Sequence, residues 1–264
     1  LLVLREQGVG DEILYGTIYK DLLNFCENVT IECDPRLKKI FCNSFPNYKN
    51  SFIEYGKISL NKNLINNFDI AIYAGSLGRF FRNDLEKFGD GCYLKPDNNL
   101  FKKSKEKIDS YENKISIGIS WKSFKNRYAN EKSLNLENFK YIFETQNCNF
   151  INLQYGNVNN EVENFNKKFR NKLITIENLD LMNDFDKLAS VLKNLDLFIS
   201  VSNSTAHLAA SLGVKTLLIK PNNHAVFHYW NQPGSITPWY KSVTLLDKEK
   251  ILNEENLLSK YLNI

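Results

Sequence analysis

The sequence predicts an α/β chain made of two doubly wound parallel-sheet units that face each other. Two observations carry this expectation. Short apolar runs alternate with helical segments along most of the chain, the pattern of a parallel sheet with helices on both faces. A polar, lysine-rich stretch between Lys95 and Lys114 interrupts that rhythm, which then restarts. The units are therefore expected over residues 1–105 and 106–264.

Leu1–Leu4 reads as a strand, and the glycine-bearing segment Glu6–Glu12 as the turn after it. Apolar residues at Ile13, Leu14, Ile18, Leu22 and Phe25 share one helical face. Val29–Cys33 reads as a strand, and Pro35 opens a helix to about Phe41. Phe68–Gly75 reads as a further strand, with a helix starting behind Ser76. In the second unit, Ile115–Ser120, Phe150–Tyr155 and Leu173–Ile176 are strands. They alternate with helices over Leu136–Phe143, Asn160–Phe169 and Asp184–Leu195. Leu195–Ile219 then reads as a buried strand, a turn of four small polar residues, a helix closed by Gly213 and a return strand. A last helix, Lys248–Leu262, is a segment able to pack back on the first unit.

Composition narrows the partners. A net charge of +4 and a pI near 8.6 suit an anionic small ligand, and fall short of the dense basic face of a nucleic-acid binder. No apolar run approaches the ~20 residues needed to cross a bilayer, and no charged-then-apolar leader opens the chain. A cytoplasmic protein is expected. Its five cysteines, Cys26, Cys33, Cys42, Cys92 and Cys148, form no CxxC pair and read as reduced. The lone methionine, Met182, suggests a segment of a longer protein. His224 and His228 are spaced to share a helix face but have no acidic or Cys neighbour, so no metal site is expected.

The polar turn Ser202, Asn203, Ser204 and Thr205 precedes a helix whose first turn presents unpaired N–H groups and a positive dipole end, a seat for a phosphate or diphosphate. The alternative is an ordinary N-capped helix. In doubly wound sheets the loops after the strands gather at one edge. That edge also holds Trp121, Lys122 and Gln154 in the second unit and the loop with Gly8, Gly10 and Asp11 in the first. Asp11 is a candidate general base for an attacking hydroxyl, or else a first-turn acid that stabilises its helix. Lys122 reads as a diphosphate ligand or a solvated lysine, with Arg127 and Lys132 as further cations. His207 reads as a ligand one turn into the seat helix or as a packed histidine. Asp184 and Glu177 read as ribose or base ligands, or as an N-cap and a surface acid. The GVGD loop is not a GxGxxG fingerprint, so a dinucleotide is not expected.

Five stretches occur in order: EQGVGDEILY, IGISWKS, FINLQYG, DFDKLASVLKNLDLFISVSNSTAHLAASLGVKTLLI and TPWYKSV. Together they resemble the GT-B glycosyltransferases of the heptosyltransferase group, and above all the transferase-like domain that follows tetratricopeptide repeats in bacterial proteins. The resemblance implies two Rossmann-like domains around a central cleft, with acceptor on the first and nucleotide-diphosphate sugar on the second. It implies inverting, metal-independent transfer with Asp11 as base, Lys122 facing the diphosphate, and Ser202–Thr205 with His207 around the phosphates. No cofactor beyond the donor is implied. The acceptor is a glycan, a lipid-linked glycan or a protein, and an upstream repeat domain and peripheral membrane contact are among the implied partners. The family loop usually begins Asp-Thr-Gly where this chain has Ser202-Asn203-Ser204. That departure keeps open a catalytically inactive nucleotide-binding or scaffold module of the same fold, and more distantly a nucleotide-sugar epimerase.

Overall fold

The structure is a computed structural model and describes residues 1–112, 115–124, 129–221 and 227–262. In chain order the first lobe comprises β1 (Leu2–Leu4), α1 (Val9–Gly16), α2 (Tyr19–Phe25), β2 (Thr30–Cys33), α3 (Pro35–Ser44), β3 (Phe52–Glu54), α4 (Lys62–Ile65), β4 (Ala71–Tyr73) and α5 (Gly78–Phe81). Next come α6 (Asn98–Asp109), β5 (Ile115–Ser120), α7 (Ala129–Lys132), α8 (Lys140–Phe143), β6 (Cys148–Asn152), α9 (Asn159–Lys168), β7 (Leu173–Thr175) and α10 (Phe185–Leu192). The chain continues through β8 (Leu197–Val201), α11 (Ser204–Ser211), β9 (Thr216–Ile219), β10 (Val243–Leu246) and α12 (Lys248–Asn253).

All strand pairs are parallel. The first sheet runs β3-β2-β1-β4 and the second β10-β9-β8-β5-β6-β7. Counted from β5, the second order is 3-2-1-4-5-6 reversed, the doubly wound arrangement that places a ligand crevice where the winding changes direction. That point lies between β5 and β8, so the segments after Ser120 and Val201 open together on one edge. In the first sheet the change falls between β1 and β4. The expected fold class, two Rossmann-like parallel-sheet domains, is the observed one.

Local chemistry explains several element ends. Asp34 caps α3 by accepting from Arg36 N (3.0 Å) with Pro35 in the first turn, and Asp184 caps α10 by accepting from Lys187 N (3.0 Å). Gly213 takes φ +73° after α11, where the Val214 N–H turns back to Ala209 O (3.0 Å). The helix expected over Ile13–Phe25 is two helices: Tyr93 crosses at Gly16, where no side chain would fit, and its hydroxyl donates to Ile13 O (2.7 Å), while Thr17 N turns to Leu14 O. The expected polar boundary contains α6, whose one buried residue is Ile108. β3 and β10 were not anticipated.

The crossing between lobes starts before α6. Tyr93 N and Leu94 N both donate to Ser211 O (2.9 Å), and Lys241 N donates to Asp90 O (3.0 Å), so residues 90–94 already lie against second-lobe backbone. The C-terminal helix does not pack back on the first lobe. Ile251 of α12 and the following Leu257 and Leu258 are buried with Ile142, Phe143 and Phe139 of the second lobe, because the β10–α12 connection returns the chain to that side of its own sheet. One large apolar core joins the lobes through α1 against α11 and α3 against α10.

Candidate functional site

Two eight-residue helices pack side by side between the lobes with both N-termini at the cleft. α1 starts at Gly8, which makes no side-chain cap bond, and α11 starts at Asn203, whose side chain accepts from Ala206 N (3.0 Å). The first N–H groups of each helix have no partner within their own helix. The close approach depends on Gly10. A Cβ there would stand 3.1 Å from His207 Cδ2 and 3.6 Å from Ser204 Cα.

Around this junction lies a cavity of about 250 Å³ lined by Gly8, Gly10, Asp11, Ser202, Asn203, Ser204 and His207. Arg36, Ser123, Lys132, Tyr155, Phe185 and Tyr229 complete much of its wall. The volume is below the ~300–1,000 Å³ of a whole small-molecule site. It is therefore sized for part of a ligand, with the remainder in the open cleft. Lys132 and two helix N-termini face Asp11 here, and Arg36, paired with Asp34, adds guanidinium to the wall, so the cavity suits an anion.

Eight expected residues, Lys132 among them, are thus brought together, and six are placed elsewhere. Lys122 is turned away from the cavity, its ammonium paired with Glu161 (2.5 Å). Trp121 is fully buried, and its indole donates to the same Glu161 (3.1 Å). Gln154, also buried, accepts from Trp121 N (2.7 Å), Lys122 N (2.6 Å) and Ser120 Oγ (3.1 Å), so it braces the end of β5. Thr205 of α11 is buried and does not line the cavity. Asp184 is an exposed cap, and Glu177 is exposed. Arg127 and His224 lie outside the described residues.

Within the cavity the polar turn is braced too. Asn203 donates to Ser120 Oγ (2.8 Å) and Lys122 O (3.2 Å), tying the β8 turn to the end of β5. Ser202 Oγ accepts from Trp230 Nε1 (3.1 Å). His207 is 3% exposed, stacked on Trp230 with ring centroids 4.9 Å apart, and its Nδ1 lies 3.1 Å from the Tyr240 hydroxyl. Burial, with the nearby Lys132 charge, pushes its pKa down to about 3. The neutral ring carries one proton, on Nδ1 or on Nε2, so on the Gly10 side Nε2 offers either an acceptor or a donor, and no charge. The cation that sequence reasoning placed at Lys122 is instead Lys132, 7% exposed, with Nζ 4.1 Å from the centre of the Phe227 ring. Arg36 of α3 was not anticipated. It pairs with Asp34 (2.8 Å) and donates to Met182 O (3.1 Å) across the cleft.

Among the described residues no cluster of three or more His, Cys, Asp or Glu is arranged to hold a metal ion. No described helix is long and apolar enough to cross a membrane. All five cysteines are free thiols.

No family model matches the chain. Protein FlbA of Caulobacter vibrioides is 25% identical over 256 residues, covering 92% of this chain. The chain spans 42% of the length of that curated relative. A glycosyl transferase family 9 structure from Veillonella parvula superposes with a TM-score of 0.64 at 14% identity, covering 93% of this chain and 86% of that one. The E. coli ADP-heptose lps heptosyltransferase II gives 0.60 at 9% identity, covering 96% and 94%. E. coli heptosyltransferase WaaC, solved with ADP-2-deoxy-2-fluoro heptose, gives 0.54 at 10% identity, covering 100% and 99%. Two parallel-sheet lobes facing a cleft, shared along nearly the whole chain with these enzymes, make this the GT-B-like fold of the family 9 heptosyltransferases.

Proposed function

We propose that the chain is a glycosyltransferase that moves a sugar from a nucleotide-diphosphate donor to an acceptor hydroxyl. One observation carries the reading: Asp11, Lys132, Arg36 and two helix N-termini converge on one interlobe cavity. The donor diphosphate rests against the Asn203–Ser204 end of α11, and the similarly folded WaaC was solved with ADP-2-deoxy-2-fluoro heptose. Asp11 takes the proton of the acceptor hydroxyl as its oxygen attacks the anomeric carbon. The bond from that carbon to the diphosphate oxygen breaks on the opposite face, giving inversion. Lys132, Arg36 and the α11 dipole answer the charge that develops on the leaving diphosphate, so no metal is required. Such preorganised electrostatics contribute ~10²–10³-fold per well-placed donor. Acceptors in this reading are glycan, lipid-linked or protein hydroxyls. An upstream repeat region and peripheral membrane contact belong to the same proposal.

The test is a thermal-shift screen with ADP, UDP, GDP and CDP, followed by transfer assays. A nucleotide at about 100 times its Kd stabilises by ~2.7 kcal/mol. Asp11→Asn is expected to lower transfer by ~10²–10⁴-fold while keeping the nucleotide shift. Full transfer in that variant, or no shift with any nucleotide, overturns the reading. A second reading, an inactive nucleotide-binding module, is favoured by Ser202, whose hydroxyl is committed to Trp230 where the family has an acid. It predicts the shift without transfer across donors and acceptors.

A further inference from the structure

The two sheets end differently. The second has all six strands of the doubly wound order, whereas the first runs β3-β2-β1-β4 and stops where a fifth and sixth strand would follow. β4 is therefore an open edge. Its register with β1 turns the Ile70 carbonyl and both backbone groups of Ile72 toward β1, with Leu2 N donating to Ile70 O (2.8 Å). The same register turns the N–H and C=O of Ala71 and Tyr73 outward. These outward groups meet no donor or acceptor among the described residues.

The other sheet edges are protected. β3 carries Glu54, paired with Lys38 (3.4 Å) and Lys57 (3.0 Å). On β7 the Asn166 side chain answers both Leu173 N (2.8 Å) and Leu173 O (3.1 Å). Ser235 O covers β10 by accepting from Leu245 N (2.8 Å). The stretch 70–73 holds no charge, proline or glycine, the devices that keep strand edges apart. Apolar surface lies beside it. Ile70, Tyr73, Phe80 and Phe25 are each 59–79% exposed. α5 follows the strand and is held against α2: Arg82 donates to Asp21 (2.8 Å) and Thr17 O (2.8 Å), and Phe81 packs on Phe25 with ring centroids 6.0 Å apart.

We propose that β4 pairs with β4 of a second copy of this chain, antiparallel about a two-fold axis at Ile72. In that register Ala71 of each copy stands opposite Tyr73 of the other, and the outward N–H and C=O groups of both answer one another. A large ring then covers a methyl group on each side of the axis, the self-complementarity that a two-fold contact requires. Asp69 falls opposite Gly75, so no like charges meet. The four exposed side chains offer about 500 Å² per copy, or about 1,000 Å² in the pair, where a specific interface begins. None of the four lines the interlobe cavity, so the pairing is independent of the catalytic reading and leaves the cleft open.

The test is sedimentation velocity at about 1 µM and about 100 µM, where the mass at the higher concentration should approach twice the 30.7 kDa of one chain. Tyr73→Lys sets an ammonium where the ring would cover Ala71, and is expected to weaken association at least about tenfold. Ala71→Pro removes one outward donor and should act in the same direction. Both should leave the unfolding temperature of the dilute protein unchanged, because the altered groups are exposed. Hydrogen exchange on the natural chain needs no variant: the amides of Ala71 and Tyr73 should slow on concentration. A chain that stays monomeric at both concentrations overturns the proposal and gives the edge to a strand of different sequence. So does a dimer that both variants leave intact, or one in which these two amides still exchange freely.

Discussion

Lowering the pH should destabilise this protein through one buried ring. His207 sits between Trp230, Tyr229 and Tyr240, and burial is the largest cause of its pKa falling to about 3. An unfolded chain returns it to about 6.5. Between those values the unfolded state binds the extra proton and the folded state does not. Stability from His207 is therefore fully present above about pH 6.5 and is lost as pH falls below it. At pH 5 the shortfall is about 1.5 pH units at ~1.36 kcal/mol each, or about 2 kcal/mol. The assay is urea unfolding at pH 7 and pH 5 for the natural chain and for His207→Gln, extrapolated to water. Every other titrating group cancels in the difference between the two proteins. The natural chain should lose about 2 kcal/mol more than the variant over this interval. Equal losses, within about 0.5 kcal/mol, would refute the reasoning and return His207 to the list of groups able to carry charge toward a phosphate.

Gly10→Val is expected to cost at least about 2 kcal/mol by overpacking, because His207 is held on three sides and cannot move aside. The same variant should weaken nucleotide binding in isothermal titration by spreading α1 from α11. Lys132→Ala should weaken nucleoside diphosphates about tenfold or more and leave the free nucleosides little changed, whereas Lys122→Ala should leave both unchanged, since Lys122 faces Glu161. Asp186→Ala removes the carboxylate that receives Lys39 (2.8 Å), Asn43 (3.3 Å) and the Asp97 N–H (3.0 Å) where α3 meets α10. Calorimetry should show a loss of about 2 kcal/mol, mostly from the orphaned buried donors, because Lys39 is exposed enough to regain water.

The parts of the molecule readable in the sequence are those whose signals are local. The strands β5 and β8 are continuous apolar runs, and α10 and α11 open under an Asp and an Asn cap. The loops that follow strands in a doubly wound sheet converge by topology, so Gly8, Gly10, Asp11 and Ser202–Ser204 were placed together from spacing alone. What escaped is non-local. Lys122 was assigned to the cleft from its place after a strand, yet its partner Glu161 stands 39 residues further on and draws it away. Nothing near Gly16 announces that Tyr93, distant in sequence, will cross it and split the helix. β3 and β10 were not read, although β1, β7 and β9 are no longer than they are. α6 sets only Leu100, Phe101 and Ile108 along one face among lysines and asparagines, so a linker was read where an amphipathic helix packs on α10.

The shared apolar core bears on how such a site works. Lobes joined only by a polar linker are expected to swing relative to one another. Here Ile13 and Leu14 of α1, Leu37 and Phe41 of α3, Leu188 of α10 and Leu208 of α11 are all fully or nearly fully buried in one cluster that spans both lobes. Opening the cleft at the α1–α11 junction would expose part of that cluster, at ~25 cal/mol per Å² of apolar surface. The distance from Asp11 to the start of α11 is thus set by packing rather than by ligand-driven closure. On the proposed reading, closure about a donor falls to the cleft-lining side chains beyond that junction, such as Arg36, Tyr155 and Phe227. With Asp11 proposed as base and the start of α11 as the seat of the leaving group, a fixed distance between them is the arrangement that needs least reorganisation during transfer.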